Sequence, residues 1–86
     1  MLEISSFLGI SIYMFFDNLN TPHFHALYKG VEGLFFIPLV KYERGKLPPG
    51  IVGLVKEWAE LHKKELLENW SILKTTGSCQ RIEPLV

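Results

Sequence analysis

Hydrophobic positions recur at a period of two in the first half of the chain and at a helical period in the second. In Ile10–Phe16, residues Ile10, Ile12, Met14 and Phe16 fall on one face, with Ser11, Tyr13 and Phe15 on the other. The second face is mostly aromatic, so this strand is either covered on both sides or offers a face to a partner. Gly9 separates it from a short apolar segment, Ile4–Leu8, which predicts a strand at one edge. His23–Lys29 returns as a second main strand with Phe24, Ala26 and Tyr28 on the core face. The short connection between them suits an antiparallel hairpin. Gly30 marks the next turn, with Gly33 as a bulge, and Leu34–Val40 predicts a third strand whose Pro38 places it at an edge or ends its pairing. Leu34-Phe35-Phe36-Ile37 does not alternate, which implies burial on both faces.

Lys41–Gly45 is charged and reads as a turn, and Pro48-Pro49-Gly50 announces a helix. From there the apolar stripe runs Ile51, Leu54, Val55, Trp58, Leu61, His62, Leu66, Trp70, Leu73. Taken as one helix, residues 49–74 would be roughly 39 Å long. A compact chain of this size has a radius of gyration of only about 12 Å. The segment is therefore expected as two consecutive helices with a break around Leu61–Lys64, closed by Thr75-Thr76-Gly77-Ser78. Gln80–Leu85 predicts a final extended piece, another strand if it pairs, with Pro84 limiting its length. The pattern thus predicts a single α+β domain over residues 1–86. It has a small antiparallel sheet of three to four strands, then a helical C-terminal half and a short extended tail.

Composition narrows the setting. An apolar share of 48% and an aromatic share of 13% in 86 residues suffice for a folded core and argue against disorder. Nine basic and nine acidic residues cancel, so no charge excess asks for nucleic acid, though a local patch leaves that partner open. The lone Cys79 forms no intrachain disulfide and no thiolate cluster. Glu3 interrupts the apolar start, which does not read as a signal peptide, and the run Ile4–Phe16 is too short to span a bilayer. A cytoplasmic setting without membrane association is the expectation.

Candidate chemistry sits in Asp17–His25, Asp-Asn-Leu-Asn-Thr-Pro-His-Phe-His. The asparagines and Pro22 are turn chemistry, and Pro22 drives Thr21 to an extended geometry, so the chain enters His23 as a strand. His23 and His25 then share one face roughly 6–7 Å apart, with Phe24 on the other. Two imidazoles on one face can begin a metal site, which needs a third or fourth ligand. Asp17 is a candidate, as are His62 and Glu65 if the helix packs over that face. Without a metal, one histidine could act as general base and the other as acid, with Asp17 orienting a ring, as phosphodiester cleavage requires. A phosphate would then depend on Lys29, Lys41, Arg44, Lys46 and Arg81. The plainer reading is a strand with two histidines on it, and the residues alone name no cofactor. The competing class is interaction. Trp58, Trp70, Phe15 and Phe36 are the candidate anchors, because aromatics near a patch centre carry protein–protein affinity.

Several segments resemble the bacterial family known as domain of unknown function 4160. They are Ile-Ser-x-Phe-x-Gly-Ile at Ile4–Ile10, Asn-x-Pro-His-Phe-His at Asn20–His25 with Tyr28 after it, and Leu47-Pro48. Further on come Leu54-Val55-x-Glu57-Trp58, Leu61-His62, Glu65-Leu66-Leu67-x-Asn69-Trp70 and Ile82-Glu83-Pro84-Leu85. The resemblance covers nearly the whole chain in order. It implies one component of a two-gene toxin–antitoxin-like module, in complex with a small protein from the neighbouring gene or with a second copy of itself. The family's turn reads Asp-His-x-Pro-Pro-His-Phe-His; here Asn18 and Leu19 hold its first two positions and Thr21 replaces the first proline. Leu34–Ile37 likewise lacks the acid of the family's Ile-Asp-Ile strand. Both departures remove polar groups close to the histidine pair.

Overall fold

The computed structural model describes residues 2–15, 17 and 19–86. Five strands, β1 (Leu2–Phe7), β2 (Ile10–Met14), β3 (His23–Tyr28), β4 (Val31–Phe36) and β5 (Lys41–Gly45), precede two helices, α1 (Pro49–Leu61) and α2 (Lys63–Thr76). The strands make one antiparallel sheet in the order β1-β2-β3-β4-β5, which puts β3 at its centre. The expected α+β class holds, with one strand more than the three or four anticipated. Phe16, assigned by the pattern to the inner face of β2, and Asn18 of the following turn lie outside the described residues.

Two of the hairpins close through two residues with positive φ. These are Leu8 (50°) with Gly9 (78°), and Lys29 (48°) with Gly30 (81°). Positive φ at both positions is the signature of the turn whose twist matches the flanking strands.

The extra strand is β5, where a charged turn was expected. Its side chains are exposed apart from the half-buried Tyr42, so no apolar alternation marks it. It is held by its backbone pairing to β4, with Phe35 opposite Tyr42 and Phe36 opposite Lys41. The third predicted strand is also displaced. It starts at Val31 and stops before Pro38, which lies in the turn that the Val40 amide closes on the Ile37 carbonyl at 3.0 Å. Gly33 sits within β4, and the irregularity against β5 falls between Leu34 and Phe35.

Ile10, Ile12, Met14, Phe24, Ala26 and Phe35 are fully buried and join the helices in one core. Trp58 is its centre, with ring centroids 5.7 Å from Phe7 and 5.8 Å from Phe24. The helical segment breaks at His62 (φ −117°, ψ 21°), within the range expected. A straight rod of residues 49–74 would exceed the longest dimension of the molecule, 33 Å, whose radius of gyration is 11.6 Å. Leu61, expected on the buried face, is 67% exposed, and burial resumes at Leu66, Asn69, Trp70 and Leu73.

Gly77, in the left-handed region at φ 76°, ends α2. The tail returns along β1 as an extended piece and not as a strand. One backbone bond joins it to the sheet, from the Ile82 amide to the Ile4 carbonyl at 2.7 Å. Three further backbone groups of the tail are taken by side chains. Asn69 donates to the Gln80 carbonyl at 2.8 Å and accepts from the Gln80 amide at 3.0 Å. The Trp58 indole donates to the Glu83 carbonyl at 2.8 Å. Among the described residues no helix is long and apolar enough to cross a membrane.

Candidate functional site

Strand alternation on β3 turns Phe24 and Ala26 toward the helices and His23 and His25 to the opposite face. The two imidazoles stand 5.5 Å apart, centroid to centroid, nearly edge to face. Both are buried. Phe15 stacks on His25 at 4.5 Å, and Tyr13, its register partner on β2, flanks it at 5.7 Å. Trp70 reaches the His23 ring at 4.8 Å from α2.

The turn before β3 brings in the carboxylate. Asp17 Oδ1 accepts from the Leu19 amide at 3.0 Å, a local bond that suits Asp at the head of a turn. Its Oδ2 lies 2.9 Å from His23 Nε2. On the other side of the ring, Nδ1 donates to the Thr21 carbonyl at 2.7 Å, and a carbonyl can only accept. His23 therefore keeps a proton on Nδ1 and points Nε2 at a carboxylate. That pair is held either by a second N–H or by an ion between the two atoms. Burial pushes the Asp17 carboxyl up. The Leu19 amide, the His23 hydrogen bond and the charges of His23 and His25 outweigh it and hold the carboxyl below its ordinary value.

His25 is less well provided for. Its Nδ1 lies 3.7 Å from Glu32 Oε1, while Nε2 is buried and has no hydrogen-bond partner among the described residues. Burial lowers its pKa, helped by the charges of His23 and Arg44 and opposed by Glu32 and Asp17. Glu32 also accepts a hydrogen bond from the Tyr13 hydroxyl. The Tyr13 pKa is pushed up to about 12, first by burial and then by that carboxylate.

Asp17, His23 and His25 thus converge, each offering one ligand atom within 4.8 Å of the others. His62 and Glu65 are not part of this cluster and pair with each other at 2.6 Å where the two helices meet. Of the four aromatics singled out in the sequence, Trp58 is fully buried and Trp70 is 8% exposed, both packed in the chain's own core. Phe15 and Phe36 are half-buried on the face without helices. Sequence reasoning missed Glu32 and named Arg44 only as one of five cations for a phosphate. With His25 and Leu34 they border a hollow of about 190 Å³ on that face. The available signal was Glu32 itself, an acid inside an apolar stretch.

A small meander sheet backed by two helices, with an Asp-His-His cluster built from its central strand and the turn before it, is the class these features define. The family model described as Domain of unknown function (DUF4160) matches residues 9–71, and the chain belongs to that family. No curated protein and no solved structure matches it.

Proposed function

We propose that the protein is a bacterial, cytoplasmic component of a two-gene toxin–antitoxin-like module and works mainly through protein association. The observation that carries this reading is the face of the sheet opposite the helices. It presents Phe15, Leu27 and Phe36 partly exposed around the buried Tyr13, His25 and Leu34. Aromatic and aliphatic side chains grouped on one face are what a protein partner buries. The expected partner is the small protein of the neighbouring gene, or a second copy of this chain. The toxin-like side is the one we favour, because the Asp17-His23-His25 cluster offers chemistry to use.

The test is co-expression with the neighbouring gene's product, followed by size-exclusion chromatography of the parent and a Phe15→Asp/Phe36→Asp variant. A complex or dimer that the variant loses while staying folded supports the reading. A parent that runs as a monomer beside the co-expressed product overturns it.

A second reading, a histidine-based hydrolase or nuclease, is favoured by the convergence of Asp17, His23 and His25 within 4.8 Å. Its test is host growth on induction of the parent or of His23→Ala/His25→Ala, with both quantified in the soluble fraction. Arrest by the parent alone supports a working site. Equal behaviour at equal soluble levels removes it.

A further inference from the structure

We propose that Asp17, His23 and His25 form a three-ligand site for a divalent transition-metal ion of the zinc class, with one coordination position left open. The donor set is Asp17 Oδ2, His23 Nε2 and His25 Nε2. Two imidazole nitrogens and one carboxylate oxygen are the ligands such ions take when a position is kept for water or substrate.

Two independent features point to an ion. The first is His25 Nε2, a buried nitrogen on a residue 9% exposed, without a hydrogen-bond partner among the described residues. Leaving such an atom bare costs free energy, so it is poised for a partner that the described residues do not supply. The second is the setting of the other ring nitrogens. Thr21 O holds His23 Nδ1 at 2.7 Å and Glu32 Oε1 faces His25 Nδ1 at 3.7 Å. The carbonyl fixes the His23 tautomer that turns Nε2 toward a ligand position, and the carboxylate stands near the far nitrogen of His25, the kind of support a metal-bound histidine takes.

The distances fit with small adjustment. Ligand atoms about 2.0–2.2 Å from a tetrahedral ion stand roughly 3.3–3.5 Å apart. The Asp17–His23 pair at 2.9 Å must open slightly, and the widest separation, up to 4.8 Å, must close by an ångström or so. Asp17 lies in the connection between β2 and β3 and not in a strand, so the adjustment falls on a loop. Leu19 stands where the family's turn carries a histidine, so this chain brings no third imidazole there, and Leu19 contributes only its amide, which orients the carboxylate. The inference uses the residues of the second functional reading but does not require that any bond be cleaved.

Tag-free protein, stripped with a chelator, would be titrated with zinc against a chromophoric competitor and with cobalt(II) monitored by its visible absorption. The parent is expected to take up one equivalent of zinc and to give the cobalt spectrum of a nitrogen–oxygen site. His25→Phe preserves the aromatic stack and should weaken uptake at least ~100-fold, while Glu32→Gln, acting behind the ligand, should weaken it about 10-fold. His62→Ala should leave binding unchanged, and circular dichroism checks that each variant is folded. No stoichiometric uptake, uptake retained by folded His25→Phe, or uptake lost by folded His62→Ala would each overturn the proposal. Zinc binding without any hydrolytic activity would leave the site standing and discard the hydrolase. Growth arrest that needs the histidines in a protein binding no metal would do the reverse.

Discussion

His23 is held from both sides, by the Asp17 carboxylate 2.9 Å from Nε2 and by the Thr21 carbonyl 2.7 Å from Nδ1. The two contacts span one turn, so the loop that delivers the carboxylate also aims the ring. Removing the carboxylate should therefore loosen both.

Asp17→Asn is expected to destabilise the metal-free protein by about 1–3 kcal/mol at neutral pH, the range for a hydrogen bond to a charged group. Because the folded-state pKa of Asp17 is depressed, its contribution is present above the unfolded value near ~3.9. It is lost as pH falls through the folded value. Urea unfolding at pH 7 and pH 3 checks this: the gap between parent and variant should close at the acid end.

His25 has the opposite economy, since its orphan nitrogen costs stability that a phenylalanine would not. In chelated protein, His25→Phe should be neutral or stabilising by up to about 2 kcal/mol. The parent should lose stability as pH falls below the unfolded histidine value of about 6.5, because burial depresses the folded-state value and the unfolded chain then binds more protons. The variant should show a flatter profile between pH 7 and 5. A His25→Phe protein that unfolds earlier than the parent at pH 7 would contradict this.

Asn69 is 2% exposed and spends both ends of its amide on the Gln80 backbone. Asn69→Ala strands that backbone and frees the tail, at an expected cost of about 2–4 kcal/mol. Limited proteolysis should cut the variant between α2 and its C-terminus well before it cuts the parent.

Leu8 and Lys29 hold φ near 50° at the first position of their turns, where a side chain branching into L-geometry is strained. Leu8→Asn and Lys29→Asn are each expected to stabilise by about 0.5–1 kcal/mol, since Asn tolerates that conformation. For a domain of this size that corresponds to a rise in Tm of several degrees, about 4–8 °C per kcal/mol. Thermal unfolding of the single and double variants reads it directly.

Much of this architecture was legible where local rules and burial agree. β2 and β3 alternate, the double proline opens α1, and Gly77 closes α2. β5 was hidden because an edge strand needs only backbone pairing, so Lys41–Gly45 carries turn-like charge and no apolar period. Leu61 misled because apolar character put it on the stripe, although within α1 it lies roughly a third of a turn from the face that Val55, Trp58 and Ala59 bury.

The same division holds at the site. Local geometry along the chain was enough to determine that His23 and His25 share a face, since β-strand side chains repeat every second residue, and that Asp17 heads the turn before them. Only tertiary packing decided the rest. The helices settled on the Phe24 face, where Trp58 fills the core, while Trp70 reaches round to His23. That choice left the histidines under Phe15 and Tyr13 and brought Glu32 from the neighbouring strand behind His25. Burial of Nε2 and the partner at Nδ1 both come from residues distant in the chain, and no spacing rule along one strand carries that information.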